Sequence, residues 1–221
     1  MVTQSHFKQT YSPKRVDING RRYYDCDVGV YPSITTVLGC RKSEWLDQWR
    51  ANVGPEVADA TSRKAAAIGT GLHSFAERYL LNEDISSDLK RALPDIRARF
   101  NNFRSFLQDV SEVFLLERSV YSTYLKVAGT VDCFGVYKGA PCVIDFKTAN
   151  KPKSVEDIEG YFAQATFYAY AIAELYNVPV PDIVIAIAVN GVKEPQLFHS
   201  KPKRHLPYLI ETIRMYNNEA E

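Results

Sequence analysis

The sequence is short of most features that assign a class at a glance. No two of its four cysteines (Cys26, Cys40, Cys133, Cys142) stand at C-x-x-C spacing, and no histidine lies at zinc-finger distance from them. They read as small buried thiols of a reducing compartment rather than a zinc framework. No apolar run approaches the ~18 residues of a membrane helix, and the N-terminal "MVTQSHFKQTYSPKR" has no apolar signal core. A soluble, cytoplasmic protein with no membrane partner is therefore expected. There is no P-loop, so ATP is not expected, and neither internal repeats nor low-complexity tracts occur. An excess of charge of one sign is missing too: 27 Lys and Arg face 26 Asp and Glu, for a net charge of +1. That balance neither requires nor excludes a polyanion, because a neutral total can hide a basic groove.

What is present is an ordinary globular composition, 46% hydrophobic and 24% charged over 221 residues, enough to bury a full core. One domain is expected: an N-terminal elaboration over 1–55, a core over 56–200 and a C-terminal helix over 201–221. "DINGRRYYD" carries an Asn-Gly turn between short strands. "YPSITTVLG" and "KSEWLDQWR" read as short helices, with Ser33 or Thr35 as N-cap. Residues 56–81 are helical in pattern, with Gly69 and Gly71 suggesting a kink or break. Residues 86–110 form a second helix, striped by Leu89, Leu93, Ile96, Phe100, Phe103 and Leu107.

After residue 110 the period changes from helical to strand-like. "EVFLLERSVYS", "LKVAGTVDCFGVYK" and "PCVIDFKT" form a meander, with "KGAP" turning between the last two. Ser154-x-x-Asp157 is a capping-box match that opens a long apolar helix. "DIVIAIAVNG" is the continuous apolar run of a strand buried on both faces, "PQLFHS" adds an edge strand, and a final helix follows. The expected fold is α/β: a central mixed sheet flanked by helices on both faces.

The charges inside "VIDFKT" need explaining. If residues 138–141 make the turn, Tyr137 pairs with Cys142 and Asp132 falls opposite Lys147. Residues opposite one another share a face, as do residues two apart, so Asp132, Asp145 and Lys147 converge, provided the register is not slipped by one. Two close carboxylates are costly unless a cation sits between them, and oxygen donors suit Mg²⁺ or Mn²⁺. On spacing alone, an Asp–Lys salt bridge at a strand end explains the pattern equally well. Elsewhere His73 and Glu77 stand at i, i+4 on one helical face, Gln164 and Tyr168 repeat that spacing on an apolar helix, and Glu117 is another acid within a strand.

Taken in order, "GTGLH…E", "GTVD", "VIDFKT" and "QATFY" resemble the RecB-like exonuclease branch of the PD-(D/E)XK nuclease superfamily, compact phage exonucleases among them. The resemblance covers about residues 31–190 and implies a restriction-endonuclease-like core. It implies Asp132, Asp145 and Lys147 as the catalytic set, with His73, Asp132, Asp145 and the Phe146 carbonyl holding Mg²⁺ or Mn²⁺. Gln164 and Tyr168 would organise the site or touch the nucleic-acid backbone. Ser33 and Thr35 would hold a phosphate, and Arg63, with Arg50 and Lys64, would line an arch over residues 41–68. Glu77 and Glu117 would stand behind the ligands. The implied activity is metal-dependent DNA hydrolysis from single-stranded ends, with an endonuclease or an inactive DNA-binding subunit as rivals. Replication or recombination proteins are the implied associates, in a bacterial or phage-infected cell. No cysteine follows Cys142, so the iron–sulfur cluster of some relatives is not expected.

Overall fold

The computed structural model describes residues 1–5, 7, 12–41 and 44–220. Its main sheet has six strands: β1 (Thr3–Gln4), β5 (Val110–Ser122), β6 (Val127–Tyr137), β7 (Ala140–Ala149), β8 (Asp182–Val189) and β9 (Gln196–Ser200), hydrogen-bonded in the order β1-β5-β6-β7-β8-β9. The β5-β6-β7 meander and the β8–β9 pair are antiparallel, whereas β7–β8 and β1–β5 are parallel. A second, three-stranded sheet comprises β2 (Lys14–Ile18), β3 (Arg21–Cys26) and β4 (Gly29–Pro32). The fold is thus the expected α/β arrangement, with a mixed central sheet between helices.

The parallel β7–β8 pair needs a crossover, which is supplied by α6 (Glu159–Tyr176). The capping box read from the sequence lies ahead of it, on the turn that precedes the helix: Ser154 N–H donates to Asp157 Oδ2 (3.0 Å) and Asp157 N–H to Ser154 Oγ (3.4 Å), while α6 itself begins at Glu159 with no side-chain cap. A short 3-10 turn, Glu156–Ile158, leads into the helix. On this face α6 packs with α1 (Ile34–Leu38) and α7 (Pro202–Ala220) over a core that includes Phe134, Val143, Ile183 and Ile185. The opposite face carries α3 (Pro55–Leu80) and α5 (Pro94–Leu107), over Cys133, Ile144, Phe146 and Val184. Every residue of β8 after Asp182 is buried, as a strand covered on both faces requires. The two remaining helices, α2 (Glu44–Val53) and α4 (Ser86–Arg91), are peripheral.

Three local expectations are corrected. Of the kink or break expected at Gly69 and Gly71, the break does not occur: the helix runs continuously from Pro55 to Leu80. Gly71 is there for packing instead: a Cβ on it would lie 2.5 Å from Ile96 Cδ1. The helix expected over 86–110 is split in two, because Pro94 lacks an N–H and holds Leu93 extended (φ −52°, ψ 140°). The β6–β7 hairpin also closes more tightly than "KGAP" implies. Tyr137 pairs with Ala140, leaving Lys138 (φ 49°) and Gly139 (φ 82°) as a two-residue type I′ turn. The register is therefore two residues away from the expected one. Because the side-chain period is two, the same residues still share a face.

Candidate metal centre

With Cys133 opposite Ile144, the next position along brings Asp132 level with Asp145. On the other side of β6, Leu116 pairs with Cys133 and Arg118 with Val131, which brings Glu117 level with Asp132. Three carboxylates thus lie in one row across three adjacent strands. The β6–β7 ladder ends at this row, and the Asp132 carboxylate takes over, with Oδ2 accepting the Phe146 N–H at 2.7 Å. Glu117 holds a left-handed backbone (φ 45°) inside a strand, a conformation that costs a non-glycine residue on the order of 1 kcal/mol.

His73 reaches the row from α3. Its Nε2 lies 2.8 Å from the Phe146 carbonyl oxygen, and its Nδ1 faces Glu117 Oε1 and Asp132 Oδ1, each at 3.5 Å. Neither of the longer contacts is a good hydrogen bond. One donor atom from each of His73, Glu117 and Asp132 lies within 4.8 Å of the others. Asp145 is wholly buried; its Oδ2 contacts Lys147 Nζ in an ion pair, and its Oδ1 accepts no hydrogen bond. Glu117 Oε1 is likewise buried without a hydrogen-bond partner.

The charges are mutually dependent. Burial raises the pKa of the Asp145 carboxyl to about 6, with Lys147 opposing and Asp132 reinforcing. Burial also raises Asp132, against the pull of His73 and Lys147. Burial works against the cationic form of His73, yet Glu117 and Asp132 outweigh it and lift the imidazole to about 9. Lys147 is similarly raised: burial disfavours its charge, and Asp145 and Asp132 more than restore it. Glu77 is raised by burial and by neighbouring Glu117, and it lines a flanking hollow with His73 and Glu117. A row of acids, Asp132 and Asp145 buried and Glu117 partly so, with two orphaned oxygens, an imidazole and a backbone carbonyl nearby fits a hard divalent cation.

These groups open into a cavity of about 230 Å³, whose walls include Ser33, Thr35, Asp132, Lys147, Gln164 and Tyr168. Gln164 Nε2 donates to Tyr168 Oη at 3.1 Å. Tyr168 packs so closely on β6 that a Cβ at Gly129 would lie 2.9 Å from its ring, so the glycine of "GTVD" and the tyrosine of "QATFY" explain each other. Ser33 caps α1, its Oγ accepting the Thr36 N–H at 3.0 Å.

Most residues singled out in the sequence therefore meet at one place. Arg63 does not: it is exposed on α3 and lines neither this cavity nor the flanking hollow. Arg50 and Lys64 are engaged with Asp59 (2.6 Å) and Asp95 (3.2 Å). Glu117, expected behind the ligands, lies with His73 and Asp132 in a group of donor atoms within 4.8 Å of one another that could hold an ion. The Phe146 carbonyl, expected on the metal, lies against His73. Arg22, Tyr24 and Thr130 also line the cavity and carry no sequence signal, since only the docking of the small sheet brings them there. Tyr24 Oη and Thr130 Oγ1, 2.9 Å apart, tie that sheet to β6.

A family profile for the PD-(D/E)XK nuclease superfamily matches residues 42–219. The chain belongs to this superfamily. Among curated relatives of this PD-(D/E)XK protein is the human mitochondrial genome maintenance exonuclease 1, 44% identical over 147 residues, or 62% of this chain and 40% of the relative. The protein of the same name from Xenopus tropicalis is 29% identical over 134 residues, 57% of this chain and 38% of the relative. The matched region thus spans about two fifths of these relatives' length. A solved structure described as "Crystal structure of SSO0001" aligns over 81% of this chain and 74% of its own at 11% identity, with a TM-score of 0.40. Among the described residues, no helix is long and apolar enough to cross a membrane.

Proposed function

We propose that this chain is a metal-dependent deoxyribonuclease that hydrolyses phosphodiester bonds from single-stranded DNA ends. The observation that carries the reading is the row Glu117–Asp132–Asp145, with His73 and Lys147 beside it, at the point where β6 and β7 cease to pair. Asp132, Glu117, Asp145 and His73 would hold Mg²⁺ or Mn²⁺. The ion, when bound, supplies charge stabilisation to the phosphate oxygens and a more acidic water. Lys147 stays cationic between two carboxylates, so its role is to orient the attacking water and offset negative charge on the phosphate rather than to take a proton. Water oxygen bonds to phosphorus as the bond to the leaving oxygen breaks, and the proton that the water gives up to solvent is matched by one that the leaving oxygen takes from it. Gln164 and Tyr168 hold each other and fix the wall facing the phosphate, while Ser33 and Thr35 offer hydroxyl groups to the backbone of the strand. On this reading the chain is one nuclease unit, with residues 1–55 an elaboration, 56–200 the core and 201–221 a closing helix.

End-labelled single strands and sealed single-stranded circles, incubated with Mg²⁺ or Mn²⁺, test the proposal. Cleavage of linear strands but not circles is expected. Cutting of circles would replace the exonuclease by an endonuclease, and folded protein that binds DNA but cuts neither substrate would leave a binding subunit.

A further inference from the structure

Beyond the centre lie two larger hollows on the same side of the molecule, and they share walls. Arg22 and Thr35 line both the 230 Å³ cavity and a neighbour of about 450 Å³ that continues over Arg21, Thr36 and Gly39. Tyr216 closes that neighbour and also lines a third hollow of about 520 Å³, reaching Tyr31, Tyr124, Lys126 and Arg214. The wall is shared between elements far apart in sequence: Tyr23 Oη and Tyr216 Oη lie 2.9 Å apart, joining β3 to α7.

The chemistry of the walls changes abruptly at Arg22. The centre is crowded with acids, whereas among the described residues no acid lines either outer hollow. Arg22, Lys126 and Arg214 form no ion pair among the described residues, in contrast to pairs such as Arg41–Glu211, Arg78–Glu83 and Lys201–Asp182. Tyr124 is 88% exposed at the β5–β6 turn, where no packing requirement keeps an aromatic ring. Free cations alternating with aromatic faces form a surface for a polyanion whose bases are unstacked, since each base offers a π-face and each linkage a charge.

We propose that these hollows form a track for single-stranded nucleic acid that continues from the metal centre across Arg22 and past Tyr216 to Tyr124. The track rests on the nuclease reading for its direction, but it binds by its own residues. Arg22 stands at the junction and would take the phosphate next to the one in the centre. Tyr124 would stack a base at the far end, between Lys126 and Arg214.

Fluorescence anisotropy with labelled single-stranded DNA of graded length, in EDTA, separates binding from cleavage. Tyr124→Ala should weaken long strands roughly five-fold to a hundred-fold, and should leave strands short enough to fill only the centre unaffected. Each of Arg22→Gln, Lys126→Gln and Arg214→Gln should lower the slope of log affinity against log salt by about 0.7. Thermal melts check that each variant remains folded. The track is refuted if long strands bind the Tyr124 and Lys126/Arg214 variants with unchanged affinity and slope, or if duplex of equal length competes as well as single strand. Length-dependent binding that persists while Mg²⁺ and Mn²⁺ give no cleavage would instead count against the nuclease reading and leave the track standing.

Discussion

Two histidines in this molecule sit between a hydroxyl or carbonyl group and a carboxylate, and they illustrate opposite uses of the same parts. His205 has Ser200 Oγ at 2.7 Å from Nε2 and Glu159 Oε1 at 3.1 Å from Nδ1, the connectivity of a nucleophilic relay. Its ring stacks on Phe162 with centroids 4.3 Å apart, and it is 4% exposed. Both ring nitrogens are matched, and none of the three residues lines the metal cavity or the proposed track. His73 faces three acceptors, of which Glu117 Oε1 is orphaned, beside a cavity. Hydrogen-bond connectivity alone therefore does not mark a site in this fold. Unmet demand at the edge of a cavity is what separates His73 from His205.

The contrast breaks most visibly if activity does not follow the unmet demand. Lys147→Ala and Asp145→Asn should each lower cleavage of labelled single strands by at least about a hundred-fold, with circular dichroism unchanged. Next comes pH. The His73 pKa is raised in the folded state, so its stabilising contribution is complete below the unfolded value of 6.5 and is lost as pH rises toward about 9. Melting of the metal-free protein should report a loss on the order of 3 kcal/mol across that window. Mn²⁺ titrations by calorimetry should show proton release and tighter binding as pH rises through the same window. A flat profile would detach His73 from the metal.

The sealed cluster should respond in stability instead. His205→Ala removes a stacked ring and leaves Glu159 and Ser200 facing one another, and should cost about 2 kcal/mol in urea unfolding. Cleavage measured below the transition should be retained. Ser200→Ala should cost about 1 kcal/mol and leave cleavage untouched. A loss of hydrolysis there would mean that the Ser200–His205–Glu159 arrangement is working chemistry after all.

Much of this was legible in the sequence, for reasons tied to period. Asp132, Asp145 and Lys147 can be assigned to one face although the expected pairing is off by two residues, because facing depends only on odd and even. The capping box at Ser154 and the buried run of β8 depend on neighbouring residues, and local rules suffice for them. Glu117 was harder to place. Between Val113 and Leu115 the β5–β6 register shifts, so counting along β5 does not align Glu117 with Asp132, and its left-handed backbone has no signature in "LLERSV". Arg22 and Tyr124 depend on how the small sheet, a hairpin turn and α7 meet, which no local pattern encodes.

The two-residue turn at Lys138–Gly139 has a consequence for how such a protein can change over generations. Residues gained at the tip in pairs lengthen both arms and keep Asp132 and Asp145 looking the same way. A single residue gained in one arm turns its acid into the opposite layer unless a bulge absorbs it. Descent along this hairpin is thus expected to proceed in steps of two, with the odd lengths missing.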